Sequence, residues 1–176
     1  HVRFPLRRFS DSFGADELIT MVYYGEGIGR YFSGNTAGQD ALSNLGLPEA
    51  VNNFSLDTVQ SWGVTVAYRR FWTSKLRSNF AFSYARQDYP EYALNFVPGS
   101  ASATSLNREM DQTFVNLIWS PFGAVRNGTF GSGWLDIGLE YLHTRRDLFG
   151  GDNAGGTAGS GRGVANRVLF ATVARF

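Results

Sequence analysis

The chain of 176 residues has no cysteine, a single lysine and two histidines. Without cysteine there can be no disulfide, no thiolate nucleophile and no cysteine-ligated metal. Two histidines, His1 and His143, leave little material for a catalytic base or an imidazole metal site. Charge of one sign is also lacking: sixteen basic and fifteen acidic residues leave +1. No basic block stands out, which argues against a nucleic-acid binder with a clearly basic face. Long hydrophobic runs are missing as well. No stretch approaches the roughly 18 to 20 consecutive apolar residues of a membrane-crossing helix, so a helical membrane protein is excluded. His1 to Ser10 lack the charged start, apolar core and small-residue cleavage site of a signal peptide.

What is present is glycine, at 21 residues, and phenylalanine plus tyrosine, at 23. The apolar residues recur with a period of two. In 76–86 the even positions are Leu76, Ser78, Phe80, Phe82 and Tyr84, and the odd ones Arg77, Asn79, Ala81, Ser83 and Ala85. Trp62–Trp72 and Leu135–Arg146 alternate in the same way. Seven strands are predicted: Val2–Phe9, Glu17–Tyr24, Ser61–Phe71, Leu76–Gln87, Asp111–Ser120, Trp134–Arg146 and Asn166–Phe176. The cleanest run to ten or twelve residues, longer than the usual five or six of soluble sheets and suited to a tilted bilayer crossing.

The connections Ser10–Asp16 and Trp72–Lys75 are short. Gly25–Gln60, Asp88–Met110 and Asp147–Ala165 are long and rich in Gly, Ser, Asn and Pro, and Pro121–Gly133 is intermediate. Phe71, Trp72, Trp119, Phe122 and Trp134 fall toward one edge, and Trp62, Tyr84 and Tyr141 toward the other. Short turns on one side, long loops on the other and aromatics at two heights are the pattern of an outer-membrane barrel. The expected fold is therefore all-β: an antiparallel transmembrane β-barrel in the bacterial outer membrane, one domain over residues 1–176, with outer-membrane lipid as partner.

Seven strands is an odd number, whereas bacterial single-chain barrels have even ones. Either an eighth strand hides in Gly25–Gln60, or the chain is the C-terminal part of a larger barrel. Ala41–Phe54 does not alternate and reads as loop or short helix, which favours the larger barrel.

Parity places Arg69, Arg77, Arg146, Arg167 and Arg175 opposite the lipid-facing aliphatics. An arginine facing mid-bilayer lipid costs about 2 to 4 kcal/mol, so these side chains are expected to point into water. Planar guanidinium pairs with carboxylate, so an arginine ladder would favour anion entry. The plainer alternative is that they neutralise Asp136 and Glu140 and stiffen the wall. Arg30 lies in Gly25-Glu26-Gly27-Ile28-Gly29-Arg30; the glycine required next by a dinucleotide fingerprint is missing, and that motif is rejected. This loop either folds inward and sets Arg30 at a constriction or forms a rigid external turn. Gly150–Gly163, flanked by Asp147 and carrying Asp152, has too few carboxylates for a calcium loop. Neither metal nor cofactor is expected, and no enzymatic activity. The alternatives are a narrow eight-stranded structural barrel and an outer-membrane rim hydrolase, the latter short of a base because His143 shares the parity of Leu139 and Tyr141.

Tyr24–Phe32 (YGEGIGRYF), Phe71–Asn79 (FWTSKLRSN), Asn116–Pro121 (NLIWSP) and Gly138–Tyr141 leading to Asn166–Phe176 resemble the C-terminal half of DcaP-like porins. The terminal phenylalanine is shared by outer-membrane barrels generally, while Ala174 stands where many carry an aromatic. The resemblance implies a sixteen-stranded homotrimeric channel for passive diffusion of small anionic solutes such as dicarboxylates. Arg30, Arg69, Arg77, Asp136, Glu140, Arg146, Arg167 and Arg175 are then the expected pore-lining set.

Overall fold

The computed structural model describes residues 2–29, 40–45, 47–95, 107–122, 135–148 and 161–174. Its strands are β1 (Val2–Pro5), β2 (Glu17–Glu26), β3 (Ala41–Ser43), β4 (Leu56–Thr58), β5 (Gln60–Phe71), β6 (Leu76–Asp88), β7 (Asn107–Trp119), β8 (Leu135–Leu148) and β9 (Arg162–Ala174). Seven of them form one antiparallel sheet in the order β1-β2-β5-β6-β7-β8-β9. The all-β, antiparallel, seven-stranded expectation is met. The order is open, with β1 and β9 at the edges and no pairing between them among the described residues.

Several boundaries differ from the sequence reading. β1 stops at Pro5, and Leu6–Arg8 form a 3-10 turn in place of strand. The Leu6 N–H bonds to the Asp16 carbonyl at 3.0 Å, which closes the connection early. β7 starts at Asn107 rather than Asp111, β8 continues to Leu148, and β9 starts at Arg162 rather than Asn166. Apolar periodicity stops where charges begin, but cross-strand ion pairs carry the ladder onward: Arg145 with Asp111 at 2.7 Å and Arg162 with Asp147 at 2.8 Å. Strand order sets the end from which each connection leaves: those after β2, β6 and β8 leave from one end of the sheet, the long-connection end of the sequence reading, and those after β1, β5 and β7 from the other, the short-turn end.

The segment read as loop or short helix holds a small hairpin. β3 and β4 pair antiparallel, with a 3-10 turn at Pro48–Val51 between them. Leu42 and Val59 bury against Tyr89 and Ala93, with Tyr92 alongside, and the Tyr92 hydroxyl donates to the Leu42 carbonyl at 2.6 Å. Of the glycines after β2, Gly27 takes φ +65° and its N–H reaches the Val59 carbonyl at 3.0 Å. A left-handed residue there turns the chain out of β2 and into this hairpin.

Register sorts the side chains into two faces, since directly paired residues lie on the same side. One apolar row reads Leu18, Tyr68, Phe80, Val115, Tyr141, Val168 across six strands. The next toward the short-turn end reads Arg70, Ser78, Leu117, Leu139, Phe170. Tyr141 thus sits in mid-sheet, not near the outer edge as expected; Phe80, in the same row, is four residues from Tyr84. Trp62 and Tyr84 do lie together near the long-connection end, ring centroids 5.1 Å apart.

Nothing in the described chain covers this face. Val22 is 75% exposed, Phe170 71%, Val168 67% and Leu139 55%. At about 1.5 to 3 kcal/mol per large apolar side chain buried, a dozen uncovered ones forgo roughly 18 to 36 kcal/mol of burial, more than the 5 to 15 kcal/mol by which a typical domain is stable.

On the opposite face Tyr23 lies over its register partner Gly63. A Cβ built at Gly63 would stand 2.2 Å from the Tyr23 hydroxyl oxygen and 2.6 Å from the Tyr84 carbonyl. Gly63→Ala is expected to lower stability by about 1 to 3 kcal/mol through overpacking. Gly163→Ala, with open space around the new Cβ, should be neutral; denaturant unfolding of both variants in detergent compares them.

Burial raises the Tyr89 phenol well above its ordinary value near 10. A raised folded value means that Tyr89 contributes its full stabilisation below pH about 10 and loses it as pH climbs further. Proteolysis of the 40–59 hairpin should accelerate above pH about 10, and Tyr89→Phe should weaken that pH dependence, the remainder coming from Tyr92, which burial also raises.

Candidate functional site

The polar face is ordered into rows by the same register. Glu17, Arg69, Asn79, Asn116 and Glu140 are successive partners across β2, β5, β6, β7 and β8. Arg69 stands between two of them, its Nε donating to Asn79 Oδ1 at 2.8 Å and its Nη1 3.6 Å from Glu17 Oε2. Arg3 on β1 bonds the other oxygen of Glu17. Asn79 donates from its side-chain Nδ2 and its backbone N to Asn116 Oδ1, at 2.8 and 3.0 Å. A polar chain thus runs from Arg3 to Asn116 over five strands.

A second cluster lies one step toward the short-turn end. Arg77 donates through Nη1 to Ser120 Oγ at 2.8 Å and through Nη2 to Asp136 Oδ2 at 3.0 Å. Ser120 donates to the other oxygen of Asp136, which is 5% exposed. Toward the long-connection end Arg146 donates to the Asn107 amide. The Tyr89 hydroxyl lies 2.7 Å from Gln87 Oε1 and 3.1 Å from the Asn107 carbonyl. Between these groups small and large residues share the face: Ile19, Ala67, Ala81, Phe114, Leu142 and Arg167 are successive partners in one row, and Met21, Thr65, Ser83, Gln112 and Thr144 in the next, with Thr65 and Ser83 joined by a 3.0 Å hydroxyl contact.

Of the expected pore-lining set, Arg69, Arg77, Asp136, Glu140, Arg146 and Arg167 share this face. Arg30 and Arg175 lie outside the described residues. The plainer alternative holds for Arg77, whose charge is matched by Asp136, and Arg69 is matched by Glu17. Among the described residues Glu140 forms no ion pair. Arg167, on the exposed edge strand β9, has no ion-pair partner among the described residues either. Five arginines, 3, 69, 77, 146 and 167, face three carboxylates, 17, 136 and 140, on the seven strands.

Sequence reading missed Arg3, Glu17, Asn79, Asn116 and Ser120 as partners. Parity already put Asn79 beside Arg77, and a buried arginine in need of an acceptor is the signal that would have found it. Asp16 was missed too. It is 1% exposed and accepts from the Tyr68 hydroxyl at 2.7 Å, Arg70 Nη1 at 2.8 Å and the Phe71 N–H at 2.8 Å. Arg70 also lies over the Trp72 ring, 5.1 Å from its centroid. This knot ties the β1–β2 connection to the end of β5.

His143 lies on the apolar face, with Nδ1 2.8 Å from Asn166 Oδ1, to which Tyr141 also donates at 2.8 Å. That is an imidazole held by an amide rather than by a carboxylate or a nucleophilic hydroxyl. Among the described residues no group of three or more potential metal ligands converges.

No protein-family model, curated protein or solved structure matches this chain.

Asp136→Ala would leave Arg77 and Ser120 without their acceptor. The expected loss is about 3 to 5 kcal/mol, whereas Arg77→Met with Asp136→Leu should recover most of it. Denaturant unfolding of single and double variants measures both.

Proposed function

We propose that the chain forms part of the wall of a transmembrane β-barrel in the bacterial outer membrane, and that it serves a porin for small anionic solutes. The observation that carries this reading is the uncovered apolar face of a sheet whose other face is a connected polar network. Lipid supplies the environment that the apolar face requires, and water supplies the one that the arginines require. Trp62 and Trp72 lie ten residues apart, roughly 33 Å along a strand and about 25 Å after a tilt near 40°, which matches the apolar band of outer-membrane barrels. In lipid the backbone edges of β1 and β9 must be paired, which calls for closure through further strands. The resemblance to DcaP-like porins supports sixteen strands and a homotrimer, with dicarboxylates among the solutes.

The ion pairs refine which arginines select. Arg69 and Arg77 are matched by carboxylates and act mainly to stiffen the wall. Arg167, which forms no ion pair among the described residues, offers its guanidinium group to passing carboxylates. A narrow structural barrel is filled by large side chains; Gly63, Ala67, Ala81, Ser83 and Gly138 on this face favour an open interior, while Ile19, Phe114 and Leu142 share its middle.

Single-channel recording in planar bilayers under a salt gradient tests the reading. The expected result is an anion-selective reversal potential and blockade by succinate. Arg167→Gln should reduce anion preference, while the charge-balanced pair Arg77→Gln with Asp136→Asn should leave it nearly unchanged. Folded protein without conductance would remove the porin reading.

A further inference from the structure

Two opposite charges on the polar face stand outside its ion pairs, and the register sets them side by side. Glu140 on β8 is directly opposite Leu169 on β9, and Arg167 lies two residues before Leu169 on the same face. The two are diagonal neighbours, with backbones roughly 7 to 8 Å apart. Among the described residues neither forms an ion pair, whereas Arg69 and Arg77 on the same face hold Glu17 and Asp136.

The charged groups nearest to them along β8 are otherwise engaged: Asp136 holds Arg77, and Arg146 donates to Asn107. The direct partner of Glu140 on β7 is the uncharged Asn116. Between and beside the two charges the surface is apolar. Leu142 is the direct partner of both Phe114 and Arg167, and Leu169 that of Glu140. Phe114 and Leu142 are partly buried, and Leu169 is 38% exposed. One acid, one base and an apolar patch thus share a corner of the face.

A ligand with a single charge meets the wrong group beside the right one. A carboxylate on Arg167 also faces Glu140, and an amine on Glu140 also faces Arg167; like charges set side by side are costly. A ligand that carries both charges on one carbon meets each with its opposite. The geometry points to a binding subsite for a zwitterionic α-amino acid with an apolar side chain. Arg167 takes the carboxylate, whose planar shape suits the guanidinium fork. Glu140 takes the ammonium group, and Leu142, Leu169 and Phe114 receive the side chain. A dicarboxylate would set its second charge against Glu140, so the subsite favours a solute class other than the one that the porin resemblance implies. The proposal rests on the reading of this face as water-facing, but not on conduction.

The test is titration calorimetry of the folded chain in non-ionic detergent with L-leucine, with 4-methylpentanoate, which lacks the amine, and with 3-methylbutylamine, which lacks the carboxylate. The expected dissociation constant for L-leucine is on the order of 1 mM, and each analogue should bind about tenfold more weakly or worse. Arg167→Gln should weaken L-leucine but spare 3-methylbutylamine, and Glu140→Gln should weaken L-leucine but strengthen 4-methylpentanoate. A merely structural role for either residue would not reverse these preferences. Equal binding of L-leucine and 4-methylpentanoate would overturn the proposal in favour of a plain anion site. Equal binding of the amine, or no binding of L-leucine by folded protein, would overturn it as well. If a variant does not fold, the three-ligand comparison on the unaltered chain decides alone. Conductance reads the porin proposal separately: a silent channel whose chain still prefers L-leucine sinks only the porin, and an anion-selective channel whose chain ignores L-leucine sinks only the subsite.

Discussion

The structure depends on one constraint, an uninterrupted register from β2 to β8. Each strand alternates with period two, and a slip of one residue between any two neighbours would turn a whole strand's apolar set onto the polar face. The pairing avoids this over 12 to 14 residues in β5 to β8, and the one irregularity falls between Asn107 and Glu109, beyond the apolar rows. Because the register is kept, Glu17, Arg69, Asn79, Asn116 and Glu140 meet in a single row although they are spread over more than 120 positions of chain. The same alignment collects the apolar residues into a face that the described chain leaves uncovered. The polar network and the uncovered apolar face are two consequences of one pairing.

How much of this was legible in the sequence depended on which physical signal each residue carries. Strand existence was legible, since Leu76 to Tyr84 or Leu135 to Tyr141 alternate without ambiguity. Strand ends were less so. β7, β8 and β9 run on through Arg108, Asp147 and Arg162, where hydropathy has no alternation and side-chain ion pairs sustain the ladder instead. The hairpin of β3 and β4 was hidden for a related reason. Three-residue strands are too short for a period, and Leu42 and Val59 bury against Tyr89 and Ala93, which belong to a different connection.

The candidate site divides in the same way. Face membership of Arg69, Arg77, Arg146 and Arg167 followed from parity, because parity is local. Their partners did not, because pairing is set by register between strands: Asp136 is 59 positions from Arg77, and Asp16 is 54 from Arg70. Composition gave a net charge of +1 and said nothing of where charge is spent. Only the pairing separates an arginine that braces the wall from one that faces solution.

That separation bears on how a wall can be both rigid and selective. A polar face in a one-layer sheet has no second layer to pack against it, so its long side chains must be held by one another. Each carboxylate that fixes an arginine also cancels its charge, and a fully braced face would carry no field. On the proposed reading the face meets both demands by position. Bracing is dense near the short turns, where Arg3, Glu17, Arg69, Arg77 and Asp136 interlock. Toward the β9 edge Arg167 forms no ion pair among the described residues, and its charge is left to the face. Where each charge is paired along the register, more than the count of charges, decides what this face presents.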